Sequence, residues 1–193
     1  MFLVTDKTNG SWRRVMKKCL VLILTVIIAV SFCACSDRKN QKMFENDQRI
    51  AQEKIEQVLD AVEKKDSASL TALFSKYGID NAESFEKSVE ELFNYFEGTI
   101  ETYEDAVVPF VEGMEEKKQK QEMRLMQSTC EIKTTKHIYH LAIRFYAINT
   151  YNPEQIGIES LYIIKADEDK LLSESYGSNV EFVPGIHIGI PNE

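Results

Sequence analysis

This 193-residue chain is poor in cysteine and histidine and has fewer basic than acidic residues. Three of its four cysteines, Cys19, Cys33 and Cys35, lie in or beside one apolar run near the N-terminus. Only Cys130 sits in the body of the chain, so no internal disulfide can brace it. The residues around Cys130 alternate in polarity, which suits a small buried side chain better than a nucleophile. No Cys or His cluster has metal-ligand spacing, and neither a metal nor a cofactor is expected. There is no G-x-S-x-G elbow, no Gly-rich phosphate loop and no H-E-x-x-H pair. No catalytic residue is therefore assigned. Five of the 23 basic residues and one of the 31 acidic residues fall within residues 1–34. The remainder carries 18 basic against 30 acidic groups, a net charge near −12. Such a surface excludes a nucleic-acid partner and does not lie flat on an anionic bilayer. It does suit solubility and repulsion from anionic cell-envelope polymers.

What the chain does have is an unbroken apolar run from Cys19 to Cys33, followed by Ala34, Cys35 and the polar stretch 36–42. Met16, Lys17 and Lys18 supply a compact basic start, and the whole reads as a secretory signal. Translation from Met16 fits best; residues 1–15 are then an over-extended start, or else a longer basic region carrying Arg13 and Arg14. With a Cys directly after the cut, the layout resembles a bacterial lipoprotein signal. The resemblance implies that the Cys35 thiol takes a diacylglyceryl group, with acyl chains such as palmitate, and that Cys35 becomes the N-terminus. Phe32 and Cys33 depart from the usual residues of that signal. The other reading is an uncleaved membrane anchor, although the run is shorter than the ~20 residues of a spanning helix. Either reading places residues 44–193 at the outer face of the cytoplasmic membrane.

The expected organisation is a signal over 1–34, a polar tether over 35–43 and one domain over 44–193. About 150 residues suffice for one core. Ala51, Ile55, Val58, Leu59 and Val62 form one helical stripe, predicting a helix from Phe44 to Lys65. Asp66 reads as the N-cap of a short helix, Ser67–Phe74, stopped by Gly78. Asp80 and Glu83 suggest a capping box for a third helix over Asn81–Glu97, with Phe85, Val89, Leu92, Phe93 and Phe96 as its apolar face and Gly98 as its stop. Beyond Gly98 the period changes from 3.6 to 2. Residues 99–112 and 122–135 read as strands around a charged tip at 115–121, with a bulge near Pro109 or Gly113. Residues 137–151 are the clearest strand, with Tyr139, Leu141, Ile143 and Phe145 on one face and His140, Arg144 and Tyr146 on the other. Another strand follows over 156–166, and the punctuated apolar tail 182–191 is expected to pack as an extended segment. Helices followed by an antiparallel meander give an α+β class, three helices on a curved sheet.

Four features carry a resemblance: the long first helix, the segment Lys65, Asp66, Leu70, Leu73, Phe74 and Ser75, the third helix, and the curved meander. With these the chain resembles the NTF2-like superfamily. Within it, Ile156, Gly157 and Ile158 before a strand and Pro184, Gly185 and Ile186 near the end are similar to the DUF5104 bacterial lipoproteins, over nearly all of residues 44–190. The resemblance implies a cone-shaped fold. It supplies no activity, because that fold hosts enzymes, binding modules and interaction domains alike.

NTF2-like enzymes hold an acid or base inside the cone, and the residues available for such work or for an interface are Tyr103, His140, Arg144, Tyr146 and Glu159. Strand alternation puts His140, Arg144 and Tyr146 away from the helices, on the face where such domains pair with a second subunit. Glu159 can face either side, and His187 is placed to close one end of the cone. The expected function is a membrane-tethered, non-catalytic domain that binds a ligand or a protein, with a homodimer through the outer sheet face as one contact. The alternative is a small isomerase, lyase or hydrolase working in the cone.

Overall fold

In a computed structural model, residues 43–116, 121–168 and 182–189 are described. The expected signal, Cys35 and all of the expected tether but residue 43 lie outside them, as does part of the hairpin tip expected at 115–121. Helix α1 covers residues 43–63. Its expected stripe is buried in full: Ala51, Ile55, Val58, Leu59 and Val62 all join the core. The helix ends in a Schellman geometry, with the Lys65 N–H donating to the Val62 carbonyl at 3.1 Å and the Asp66 N–H to the Ala61 carbonyl at 2.9 Å. That geometry puts Lys65 in the left-handed region at φ 51°.

Asp66 then begins α2, Ser67–Leu73, accepting hydrogen bonds from the Ser69 N–H at 3.0 Å and the Ser69 hydroxyl at 2.6 Å. These bonds hold its carboxyl below the usual range. The cap expected at Asp66 is present. The box expected at Asp80 and Glu83 is not. Residues Lys76–Asp80 form a separate helix, α3, capped by Ser75, and the Asp80 carboxylate pairs with Lys76. Gly78 therefore lies inside a helix instead of ending one. Helix α4 is correspondingly shorter than expected, Phe85–Tyr95, with Ser84 at its N-cap position. Its Phe85, Val89, Leu92, Phe93 and the following Phe96 are buried. Gly98, at φ 88°, turns the chain into the sheet.

The sheet has six strands: β1 Ile100–Tyr103, β2 Val107–Glu116, β3 Gln121–Thr134, β4 Ile138–Asn149, β5 Gly157–Lys165 and β6 Gly185–Ile188. The order is β1-β3-β4-β5-β6, with β2 also on β3, so β1 and β2 share one edge of β3 in succession. The register slips between Val107 and Phe110, around Pro109, where a bulge was expected. Further slips fall between Arg124 and Leu125 and between Arg144 and Phe145. These irregularities go with a curved, unclosed sheet. The pairings are antiparallel except the last, where β6 runs parallel to β5. The tail is thus an extended segment as expected, but it departs from the antiparallel meander.

One core lies between the helices and the sheet. Tyr139, Leu141, Ile143 and Phe145 of β4 enter it with Ile158, Leu161 and Ile163 of β5, against the stripes of α1 and α4. Burying a side chain of this size contributes about 1.5–3 kcal/mol each. Strand β5 is buried on both faces between Ile158 and Ile164.

Three close approaches lock the short helices to β5. The Ser75 N–H donates to the Ile158 carbonyl at 2.8 Å, and Phe74 bridges Ile158. A Cβ on Gly78 would stand 2.7 Å from the Ile158 carbonyl oxygen, and one on Gly157, at φ 118°, 2.8 Å from the Ser75 nitrogen. Only hydrogen fits at either place.

Candidate functional site

Four places gather polar chemistry. The first joins α4 to the sheet around Glu97. The Tyr139 hydroxyl donates to the Tyr95 carbonyl at 3.0 Å and accepts from the Glu97 N–H at 2.9 Å. The Tyr95 hydroxyl donates to the Glu168 carboxylate at 2.7 Å and accepts from the Lys165 N–H at 2.8 Å. The Glu97 carboxylate takes Lys136 at 3.1 Å and Lys165 at 3.3 Å, and these contacts, Lys136 first, keep its carboxyl low. Burial pushes both phenols upward, so they remain neutral donors. Every hydrogen bond here goes to another member of the cluster or to backbone. It is a latch, and its partners lie too far apart in sequence for spacing to reveal them.

The second place is on the sheet face opposite the core, where alternation had put His140, Arg144 and Tyr146. The Arg144 Nε stands 3.6 Å from a Glu159 carboxylate oxygen, and the Glu159 side chain is only 9% exposed. Glu159 is the extra residue of the β5 bulge, since Ser160 pairs Arg144 and Ile158 pairs Phe145. Burial raises its carboxyl, and Arg144 opposes that rise. The Arg144 guanidinium also lies 5.8 Å from the Phe182 ring, and Phe182 meets Tyr162 edge-on. His187 stacks on Tyr162 at 4.4 Å and bonds the Val183 carbonyl at 2.9 Å. His187 thus packs against Tyr162 of β5. Arg144 and Glu159 come together; Tyr146 is half-buried near them, its phenol raised mainly by burial.

The third place is a cleft of about 190 Å³ where the chain passes from β1 to β2. Glu104, Asp105, Glu131 and His140 line it, with the His140 Nε2 3.4 Å from Glu131. Cys130 is buried beside it, its thiol donating to the Glu104 carbonyl at 3.2 Å and pushed up to about 12 by burial. That thiol is packed, as the alternation of its strand suggested. Tyr103 is exposed on β1 and outside this group. Among the described residues, no group of three or more His, Cys, Asp or Glu could hold a metal ion.

The fourth place is a mouth of about 270 Å³ between α1 and the ends of β4 and β5. Ile50, Glu53, Lys54 and Gln57 line it from the helix, Phe145, Tyr146 and Ala147 from β4, and Ile156 and Gly157 from the start of β5. The four helical positions follow the i, i+3, i+4, i+7 rule, a second ridge beside the core stripe. Lys54 is half-buried, and desolvation lowers its ammonium from the usual range. Among the described residues, its ammonium has no hydrogen-bond or ion-pair partner. Glu53 is already engaged by Arg49 at 2.5 Å. Sequence reasoning missed Lys54 because a lysine beside an apolar stripe looks like a solvated flank. The one signal was Ile50, an apolar residue on an otherwise polar ridge.

A family profile described as a domain of unknown function, DUF5104, matches residues 57–166, more than half of the chain. The chain belongs to the DUF5104 family. Among curated proteins, no sequence matches it. The DUF5104 match opens at Gln57, one turn after Lys54, and takes in α2–α4 and β1–β5. Of the mouth, the β4 and β5 walls and Gln57 fall inside the DUF5104 segment; Ile50, Glu53 and Lys54 precede it. The segments that carried the resemblance meet in space. Phe74 and Ser75 bond Ile158, while Gly185 lies beside Ser160 of β5 and against Ala82.

Proposed function

We propose that this DUF5104 protein is a lipid-anchored, extracytoplasmic binding domain of NTF2-like type, with its ligand site at the mouth between α1 and β4–β5. The observation that supports the binding site is the half-buried Lys54, without a counter-charge among the described residues, at a cavity with apolar surface on its β4–β5 side. Partial burial disfavours its charged form, and an anion bound at the mouth would offset that cost. The groups that converge around Glu97 spend their bonds on one another and on backbone, so that cluster braces the fold and leaves the mouth as the candidate site. The anchor rests on Cys35 and its flanks.

Two measurements test the reading. Crystals of the protein soaked with a fragment library should show fragments gathering between Ile50 and Ile156. Fragments scattered over the surface with none at that mouth would refute the site. For the anchor, cells expressing the full chain with an alkyne-palmitate label should yield labelled protein in the membrane fraction, and Cys35→Ala should lose both the label and the fractionation. Label retained by Cys35→Ala would refute lipidation at that residue.

A further inference from the structure

We infer that the mouth takes a small monoanion with a short apolar body, a compact carboxylate, with Lys54 as its counter-charge. This rests on the mouth being the ligand site. The cavity, about 270 Å³, lies just below the ~300 Å³ at which drug-sized pockets begin. A metabolite of a few carbons fits; a long acyl chain or a nucleotide does not. The walls divide by chemistry. Phe145, Ala147 and Ile156 offer apolar surface, while Lys54 and Gln57 offer N–H donors from one ridge of α1. One carbon body with one acceptor head matches that division.

The charge count points the same way. Lys54 and Glu53 are the formally charged residues lining the mouth, and Tyr146 is its remaining titratable group. Glu53 is held by Arg49, leaving one positive charge uncompensated. Burial keeps the Tyr146 phenol protonated, so it adds no negative charge. A cationic ligand would set two like charges together where solvent screens poorly. A neutral one would leave the ammonium as unpaired as before. A dianion would bring a second negative charge toward Glu53 with no second cation to meet it.

The test uses the purified full chain and three probes of equal carbon length: sodium hexanoate, 1-hexanol and hexylamine hydrochloride. Methyl NMR of Ile50, Ala147 and Ile156 reports occupancy of the mouth. Hexanoate should shift these methyls and bind at least tenfold more tightly than 1-hexanol, with hexylammonium weakest. Lys54→Met should abolish the preference for hexanoate while still admitting 1-hexanol, which also shows that the variant is folded. Equal binding of hexanoate and 1-hexanol, or a preference that survives Lys54→Met, overturns the anion assignment and leaves the mouth as a binding site. If none of the three probes moves those methyls, the binding site itself is refuted and the anion assignment falls with it.

Discussion

At the scale of single residues, the joint between α1 and α2 shows two neighbours under different demands. Asp66 donates the last backbone hydrogen bond of α1, to the Ala61 carbonyl, and caps α2 with its side chain. A short polar residue serves both ends. Lys65 is held at φ 51°, a conformation that a side chain with a Cβ resists and glycine does not. Lys65→Gly should therefore stabilise the protein by about 0.5–1 kcal/mol, once the extra freedom of glycine in the unfolded chain is set against the relieved strain. Urea denaturation would measure it. An unchanged or lower midpoint would mean the turn carries no strain. The Lys-Asp pair was legible as a helix end followed by a cap. Its left-handed backbone was not, because lysine carries no signal for that conformation.

Among the elements, legibility followed the range of the forces involved. The stripes of α1 and α4 and the inward face of β4 could be read because burial is written directly in the apolar period. The five-residue α3 could not, since it is too short to show one. Gly78 looked like a helix stop because its cause is a contact with Ile158, eighty residues away. Gly78→Ala would press a methyl against that carbonyl, a rigid backbone atom, and should cost about 1–3 kcal/mol by overpacking. Retained stability would mean that α3 can lift from β5 freely.

The junction of α1 with β3 makes a second element-scale case. The Arg124 guanidinium grips the Asp47 carboxylate, Nε to oxygen at 2.7 Å, with Asp47 only 4% exposed. A Cβ on Gly113 would stand 3.2 Å from Arg124, so glycine there leaves the guanidinium room. Asp47→Ala strands a part-buried cation and should cost about 3–5 kcal/mol, whereas pairing Asp47→Leu with Arg124→Met should recover most of that loss. A double variant as unstable as the single one would show that the pair holds α1 by more than mutual neutralisation. Neither partner was singled out from sequence, because they stand 77 residues apart.

For the whole molecule, charge is divided along the chain: residues 1–34 hold five basic groups against one acidic, and the rest 18 basic against 30 acidic. The sheet is curved, as the sequence suggested, and its face opposite the core is partly covered within the chain. Ser160, Tyr162 and Ile164 of β5 are buried there, and Phe182 lies over Tyr162 and Arg144. Charge reversal at Arg144 would place a second carboxylate against the buried Glu159, so such a variant reads out folding more than self-association.

The ligand site depends on the half-buried ammonium of Lys54 at the mouth. Titrating the Lys54 ε-ammonium by heteronuclear NMR in the ligand-free protein tests it most directly. Because burial disfavours the charged form, its pKa should lie below 10.5, and the wild type should gain stability relative to Lys54→Met as pH rises from the folded value toward 10.5. A Lys54 pKa at or above 10.5, with a flat stability difference across that window, would contradict the account.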